Sequence, residues 1–139
     1  MLSKKLIETI PQFICIIRKL STESLGGTLT LQQMRVLNLI NEGQGQTQMA
    51  DTLQVSLAAV SKMITCLTKN KIIQSKVGLD RRIHILSLTP KGNQTLEKIT
   101  KYVISKLDIG IADLTKEEKD QLMKGLLILD QLTQKMKEV

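Results

Sequence analysis

Apolar residues recur near the start of the chain at Leu6, Ile10, Phe13, Ile17 and Leu20. Spacings of four and three put them on one face of a helix over residues 2–21. Ile14, Cys15 and Ile16 add apolar groups off that stripe, which predicts burial on more than one side. Pro11 interrupts the pattern: either the main helix begins there, with proline at its first position, or the helix is kinked. After Gly26 and Gly27, Thr30 is placed to cap a helix running through Asn41, with Met34, Leu37 and Ile40 turned inward. The glycine-marked stretch "EGQGQ" predicts a turn. It leads to a short helix over about Thr47 to Leu53, packed through Met49, Ala50 and Leu53. Ser56 then caps a longer helix from Leu57 to about Asn70, whose Val60, Ile64 and Leu67 recur at core spacing.

A short helix, a tight "QVS" turn and a longer helix make the helix-turn-helix pattern. The outer face of the second helix carries Ala58, Ser61, Lys62, Thr65 and Lys69, small and polar first and basic further on. Small residues let a helix approach a groove closely, and Ser and Lys supply hydrogen bonds to base edges and phosphates. Two β-like runs follow, Ile72 to Val77 and Ile83 to Leu88, joined by "GLDRR", with Gly78 permitting the turn. A β-ribbon directly behind a helix-turn-helix is a wing. Thr89 and Pro90 then predict an N-cap and first helical residue. That helix extends to about Ile111, with Leu96, Ile99, Val103 and Leu107 on one face. Thr115 and Glu118 have capping-box spacing and open a last helix striped by Leu122, Leu126, Leu129, Leu132 and Met136.

The expected fold is mainly α with a small antiparallel β-wing, a single domain over residues 1–139. A winged helix-turn-helix core over 30–89 binds DNA, and long terminal helices over 1–25 and 90–139 serve dimerisation. Their apolar stripes are too long to bury against so small a core, and large exposed apolar patches mark interfaces. The alternative is a self-contained monomeric bundle. A homodimer also suits DNA, because a two-fold protein matches a palindromic site.

Charge sharpens this picture. Residues 1–55 carry five basic and four acidic side chains, and residues 92–139 carry eight of each. Residues 56–91 carry Lys62, Lys69, Lys71, Lys76, Arg81, Arg82 and Lys91 against Asp80 alone, so they hold +6 of the chain's net +7. Such one-sidedness suits a phosphate-binding surface. An anionic membrane surface would attract the same charge, but the segment lacks a basic helix backed by an insertable apolar face.

No apolar run nears the roughly 20 residues of a membrane span, and the N-terminus lacks a signal-peptide pattern. Cys15 and Cys66 share no metal-ligand spacing and form no disulfide framework. A cytoplasmic protein without membrane association, metal or cofactor is expected. His84, the one histidine, has no partner motif for catalysis, and no Gly-rich phosphate loop or zinc spacing is present, so no enzyme is expected.

The arrangement resembles the MarR family of winged-helix regulators. Asp80-Arg81-Arg82 followed by "IHILSLTPKG" is similar to the family's wing signature, an Asp-x-Arg tip leading into "LTxxG". Upstream, "LTLQQMRVLNLI" and "MADTLQVSLAAVSKMITCLTKNKII" follow the family order. The resemblance implies a sequence-specific regulator of transcription, expected to be a repressor, acting as a homodimer on pseudo-palindromic double-stranded DNA. It implies that Arg82 enters the minor groove, that Asp80 orients it and that Arg81 meets phosphate. Ser56, Ala58, Ala59, Ser61 and Lys62 match positions facing the major groove, and Thr47 and Gln48 match phosphate-clamping positions. The resemblance leaves room for a small-molecule effector of unknown identity; the aromatic residues that line effector pockets in some members are nearly absent here. Peroxide-sensing members use a cysteine in the first helix. Cys15 sits in a comparable region without their neighbouring tyrosines, and its apolar setting raises a thiol pKa. Both cysteines are therefore expected to be structural and buried. The rival reading is a winged-helix protein-interaction module or anti-regulator that does not bind DNA.

Overall fold

The computed structural model describes residues 1–25, 29–80 and 84–139. Among them, six helices and one two-stranded sheet follow in the order α1 (Leu2–Leu25), α2 (Leu31–Asn41), α3 (Gln46–Leu53), α4 (Leu57–Lys69), β1 (Ile73–Val77), β2 (His84–Leu88), α5 (Pro90–Ile111) and α6 (Lys116–Lys137). The expected mainly α fold with a small antiparallel ribbon is the one observed. The chain divides into two compact units, residues 1–103 and 104–139.

The first unit is built around α2, α3, α4 and the base of the ribbon. Val36, Leu37, Met49, Val60, Leu67 and Ile73 are its most deeply buried large side chains, drawn from four elements. Each fully buried aliphatic side chain stabilises the unit by about 1.5–3 kcal/mol relative to exposure. The α4 stripe Val60, Ile64 and Leu67 is buried as the periodicity predicts. So are Met34, Leu37 and Ile40 of α2 and Met49, Ala50 and Leu53 of α3. On α5 the buried residues are Gly92, Ile99 and Val103.

Caps decide where the helices start. Thr30 accepts from the Gln33 amide at 3.1 Å, and the Gln33 side chain accepts from the Thr30 N–H at 2.9 Å, a closed capping box. The third helix begins one residue ahead of expectation, because Gly45 is its N-cap and its N–H donates to Gln48 Oε1 at 3.1 Å.

The helix ends share one device. Gly43, Gln54 and Lys71 follow α2, α3 and α4 in the left-handed region, with φ of 83°, 55° and 60°. Behind each, the next residue's N–H reaches five residues back: Gln44 to Leu39, Val55 to Ala50 and Ile72 to Leu67, at 2.9–3.1 Å. These are Schellman closures, which satisfy the last carbonyls of a helix and usually employ glycine. Two of the three here do not. The third explains why β1 starts at Ile73 rather than Ile72: the Ile72 amide is committed to closing α4.

The ribbon is antiparallel, with Ile73 opposite Leu88, Ser75 opposite Leu86 and Val77 opposite His84. Among the described side chains of the ribbon, the basal pair Ile73 and Leu88 is the buried one, so the ribbon projects from the core as a wing does.

The extent of α1 and the burial of both cysteines differ from expectation. Helix α1 runs unbroken through Pro11 to Leu25, longer than the apolar stripe alone indicated. Phe13, Ile14 and Ile16 are exposed in the single chain, as is Cys15, so this helix is not buried on several sides. Cys66 is exposed as well. Adjacent helical residues point about 100° apart, so sequence proximity to the core residue Leu67 turns Cys66 outward. Its sulfur instead meets the side-chain nitrogens of Gln33 at 3.5 Å and Asn70 at 3.7 Å.

In the second unit Thr115 caps α6 by accepting from the Glu118 amide at 3.1 Å. No residue of α6 is buried, and Leu122, Leu126 and Leu132 of its stripe are 49%, 51% and 40% exposed. Among the described residues no helix is long and apolar enough to cross a membrane.

Candidate nucleic-acid interface

The site is assembled on α3, α4, the ribbon and the first turn of α5. Ser56 stands in extended conformation ahead of α4 and accepts from the Ala59 N–H at 3.1 Å. Ala58, the adjacent pair Ser61 and Lys62, Thr65 and Lys69 then follow three or four residues apart along one face, and all five are exposed. Ala59 is the exception among the residues expected to face outward. It is half-buried, because it lies between the polar stripe and the core residue Val60.

Two hydroxyls of this stripe are already engaged. Thr65 Oγ1 donates to the Ser61 carbonyl at 2.9 Å, the usual back-bond of a helical threonine. Ser61 Oγ donates across to Gln46 Oε1 at 3.0 Å, joining the outward face of α4 to the start of α3. Thr47 and Gln48 are exposed beside Gln46 in the first turn of α3. Gln48 uses its carbonyl oxygen to hold the Gly45 N–H, so its side chain is partly spent on its own helix. Gln46 was missed by the sequence reading. Its link to Ser61 crosses fifteen residues and has no periodic signature.

The start of α5 locks the wing to the end of α4. The Thr89 N–H donates to the Ile72 carbonyl at 3.0 Å. Thr89 Oγ1 accepts from the Gly92 N–H at 3.1 Å as the helix cap, and its proton faces the carbonyls of Lys71 and Ile72. Lys91 Nζ donates to the Asn70 carbonyl at 3.1 Å, placing a cation against the C-terminal dipole of α4. Lys91 is thus tied to the scaffold. Gly92 is required by space: a Cβ there would sit 2.1 Å from the Ile72 carbonyl oxygen. The Thr-Pro-x-Gly tetrapeptide is therefore a joint between helix α4, ribbon and α5, with Thr89, Lys91 and Gly92 each engaged by a contact.

Lys62, Lys69, Lys71 and Lys76 are exposed. The two ion pairs between described residues lie elsewhere, Lys4 with Glu8 at 3.9 Å and Lys101 with Glu97 at 2.9 Å. The Lys101 ammonium hydrogen-bonds the Glu97 carboxylate and holds its pKa below the usual range. Asp80 is exposed at the ribbon's end, whereas Arg81 and Arg82 lie outside the described residues. The structure thus brings together the helix-turn-helix residues and the base of the wing. The Asp80–Arg82 pairing falls outside what it describes. Among the described residues, no group of three or more His, Cys, Asp or Glu side chains could hold a metal ion.

No protein-family model and no curated protein matches this sequence. Solved structures do match. The transcriptional regulator Tm0710 from Thermotoga maritima is similar with a TM-score of 0.77 at 20% identity, over 96% of this chain and 97% of that one. A MarR family transcription regulator gives 0.71 at 19% identity, over 99% of this chain and 93% of that one. A variant of S. aureus MepR bound to an oligodeoxyribonucleotide gives 0.65 at 22% identity, over 88% and 94%. The chain has the winged-helix fold of these regulators.

Proposed function

We propose that the chain is a MarR-family regulator that binds double-stranded DNA sequence-specifically. The observation that carries the reading is the two-sided helix α4. Its apolar face is locked into the core, while Ala58, Ser61, Lys62, Thr65 and Lys69 form an exposed small, polar and basic stripe behind a helix-turn-helix. Such a helix fits the major groove, with the lysines meeting phosphates or base edges. The similarity to a MepR variant crystallised with an oligodeoxyribonucleotide supports the same use of the fold.

In this reading the unit of action is a homodimer, occupying a pseudo-palindromic operator in the cytoplasm and repressing transcription there. The exposed Phe13, Ile14 and Ile16 of α1 and the exposed apolar stripe of α6 supply the dimer surface. Each α4 enters a major groove, and each wing reaches the flanking minor groove through Arg82, oriented by Asp80, with Arg81 on phosphate. Thr47 and Gln48 meet phosphate at the start of α3, where helical N–H groups favour anions. The exposed polar stripe distinguishes this from a protein-interaction module, which has no need of it.

Fluorescence anisotropy on a selected operator duplex tests the assignment. Arg82→Ala is expected to weaken binding by about 1–3 kcal/mol, and Lys62→Ala to change base preference as well as affinity. Unchanged affinity in Arg82→Ala would refute the wing assignment.

A further inference from the structure

The one side-chain hydrogen bond between α3 and the outward face of α4 gives the major-groove surface a chemical polarity. A serine hydroxyl carries one proton and two acceptor lone pairs, and alone it can donate to or accept from a base. Here the Ser61 proton is committed to Gln46 Oε1 at 3.0 Å. What Ser61 then offers to a ligand is lone pairs. In the major groove the groups that donate to an acceptor are the exocyclic amines, adenine N6 and cytosine N4, whereas guanine O6 and thymine O4 themselves accept.

We infer that Gln46 is a specificity-determining residue that acts by positioning Ser61: it fixes the hydroxyl as an acceptor and so selects an adenine or cytosine amino group at the base facing Ser61. The inference rests on the DNA-binding reading above. It adds a residue outside the α4 stripe and states which base edges that stripe favours. Gln46 is well placed for the role. It is the first residue of α3, held by the Gly45 cap, and it is half-buried, so its side chain has restricted freedom.

The test is selection from a random duplex library, carried out in parallel with the unmodified chain, Ser61→Ala, Gln46→Ala and Gln46→Glu. The unmodified chain should select a base with an exocyclic major-groove amine at one position of each half-site. Ser61→Ala should remove that preference. Gln46→Ala frees the hydroxyl to donate, so discrimination against guanine and thymine there should fall about threefold to tenfold, the scale of one hydrogen bond. Gln46→Glu keeps an acceptor for the Ser61 proton, so the same base should be chosen, while a carboxylate near phosphates lowers affinity for every sequence. Gln46→Ala combined with Ser61→Ala should match Ser61→Ala alone, since the two act as one unit. Thermal melts guard against misfolding; Ser61 is exposed and Gln46 only half-buried, so all variants should melt close to the unmodified chain. Selection that survives Gln46→Ala unchanged, or effects that simply add, would overturn the role of Gln46 while leaving DNA binding intact. Failure of the unmodified chain to select any sequence would overturn the DNA-binding reading and this inference with it.

Discussion

Replacing Gly92 with alanine tests the joint between α4, the ribbon and α5. In most helices this exchange is favourable, because alanine is better than glycine by about 0.8–1 kcal/mol. Here the new Cβ would stand 2.1 Å from the Ile72 carbonyl oxygen, 3.2 Å from its carbon and 3.3 Å from Leu88 Cβ. A carbon–oxygen contact normally closes no nearer than about 3.3 Å, so something must move by about 1 Å. Neither side yields easily. The Ile72 oxygen belongs to backbone that closes α4, and it accepts from Thr89 N at 3.0 Å. Overpacking costs about 1–3 kcal/mol, and a weakened hydrogen bond adds about 1 kcal/mol. After the gain in helix propensity, a net loss of about 1–3 kcal/mol remains. Urea denaturation at fixed protein concentration reads this directly. With a slope near ~2 kcal/mol/M, the midpoint should fall by about 0.5–1.5 M. Gly110→Ala is the control: its Cβ would meet nothing within 4 Å, and it should not destabilise. Gly92→Ala as stable as the unmodified chain would refute the close approach. If the proposed DNA-binding reading holds, DNA affinity should fall with it, because the displaced backbone joins the end of α4 to the ribbon.

Thr89→Val keeps the shape but removes the α5 cap and the bond to the end of α4, and should lower stability by about 1–2 kcal/mol in the same assay. Gln54→Gly relieves a left-handed residue with a side chain in the helix-turn-helix turn and should raise stability by up to about 1 kcal/mol; a loss would mean that the Gln54 side chain contributes packing. Glu97→Gln removes the Lys101 ion pair. Because the folded carboxyl pKa is lowered, its stabilisation is present above the ordinary carboxylate range and is lost as pH falls through the folded value. The variant should therefore melt below the unmodified chain at neutral pH and alongside it near pH 2, with a difference kept small by full exposure. For the proposed dimer, Leu126→Asp should shift sedimentation from dimer to monomer; a dimer that persists would remove α6 from the interface.

Much of this molecule could be read from its sequence because local chemistry determined it. Thr30, Ser56 and Thr115 announce helix starts, and the spacing of Val60, Ile64 and Leu67 selects the buried face of α4. Thr89, Pro90 and Gly92 mark the joint behind the wing. What escaped depends on tertiary placement. The closures at Gln54 and Lys71 lack the glycine that would signal them. Cys66 faces outward because one helical step rotates it from the core, and the Gln46–Ser61 bond joins helices through a turn whose angle no periodicity encodes. The stripes of α1 and α6 were legible as apolar faces, but a pattern names no partner. The α6 stripe stays largely exposed in the single chain, whereas that of α1 is half-buried except at Phe13.

The central claim is sequence-specific DNA binding by a dimer through α4 and the wing. Selection from a random duplex library, followed by sedimentation of the complex on the selected duplex, tests it most directly. Expected are an enriched sequence with two-fold symmetry, half-sites about one helical turn apart, two chains per duplex and affinity that falls steeply with salt. No enrichment over the starting library, or a complex indifferent to salt, would contradict it.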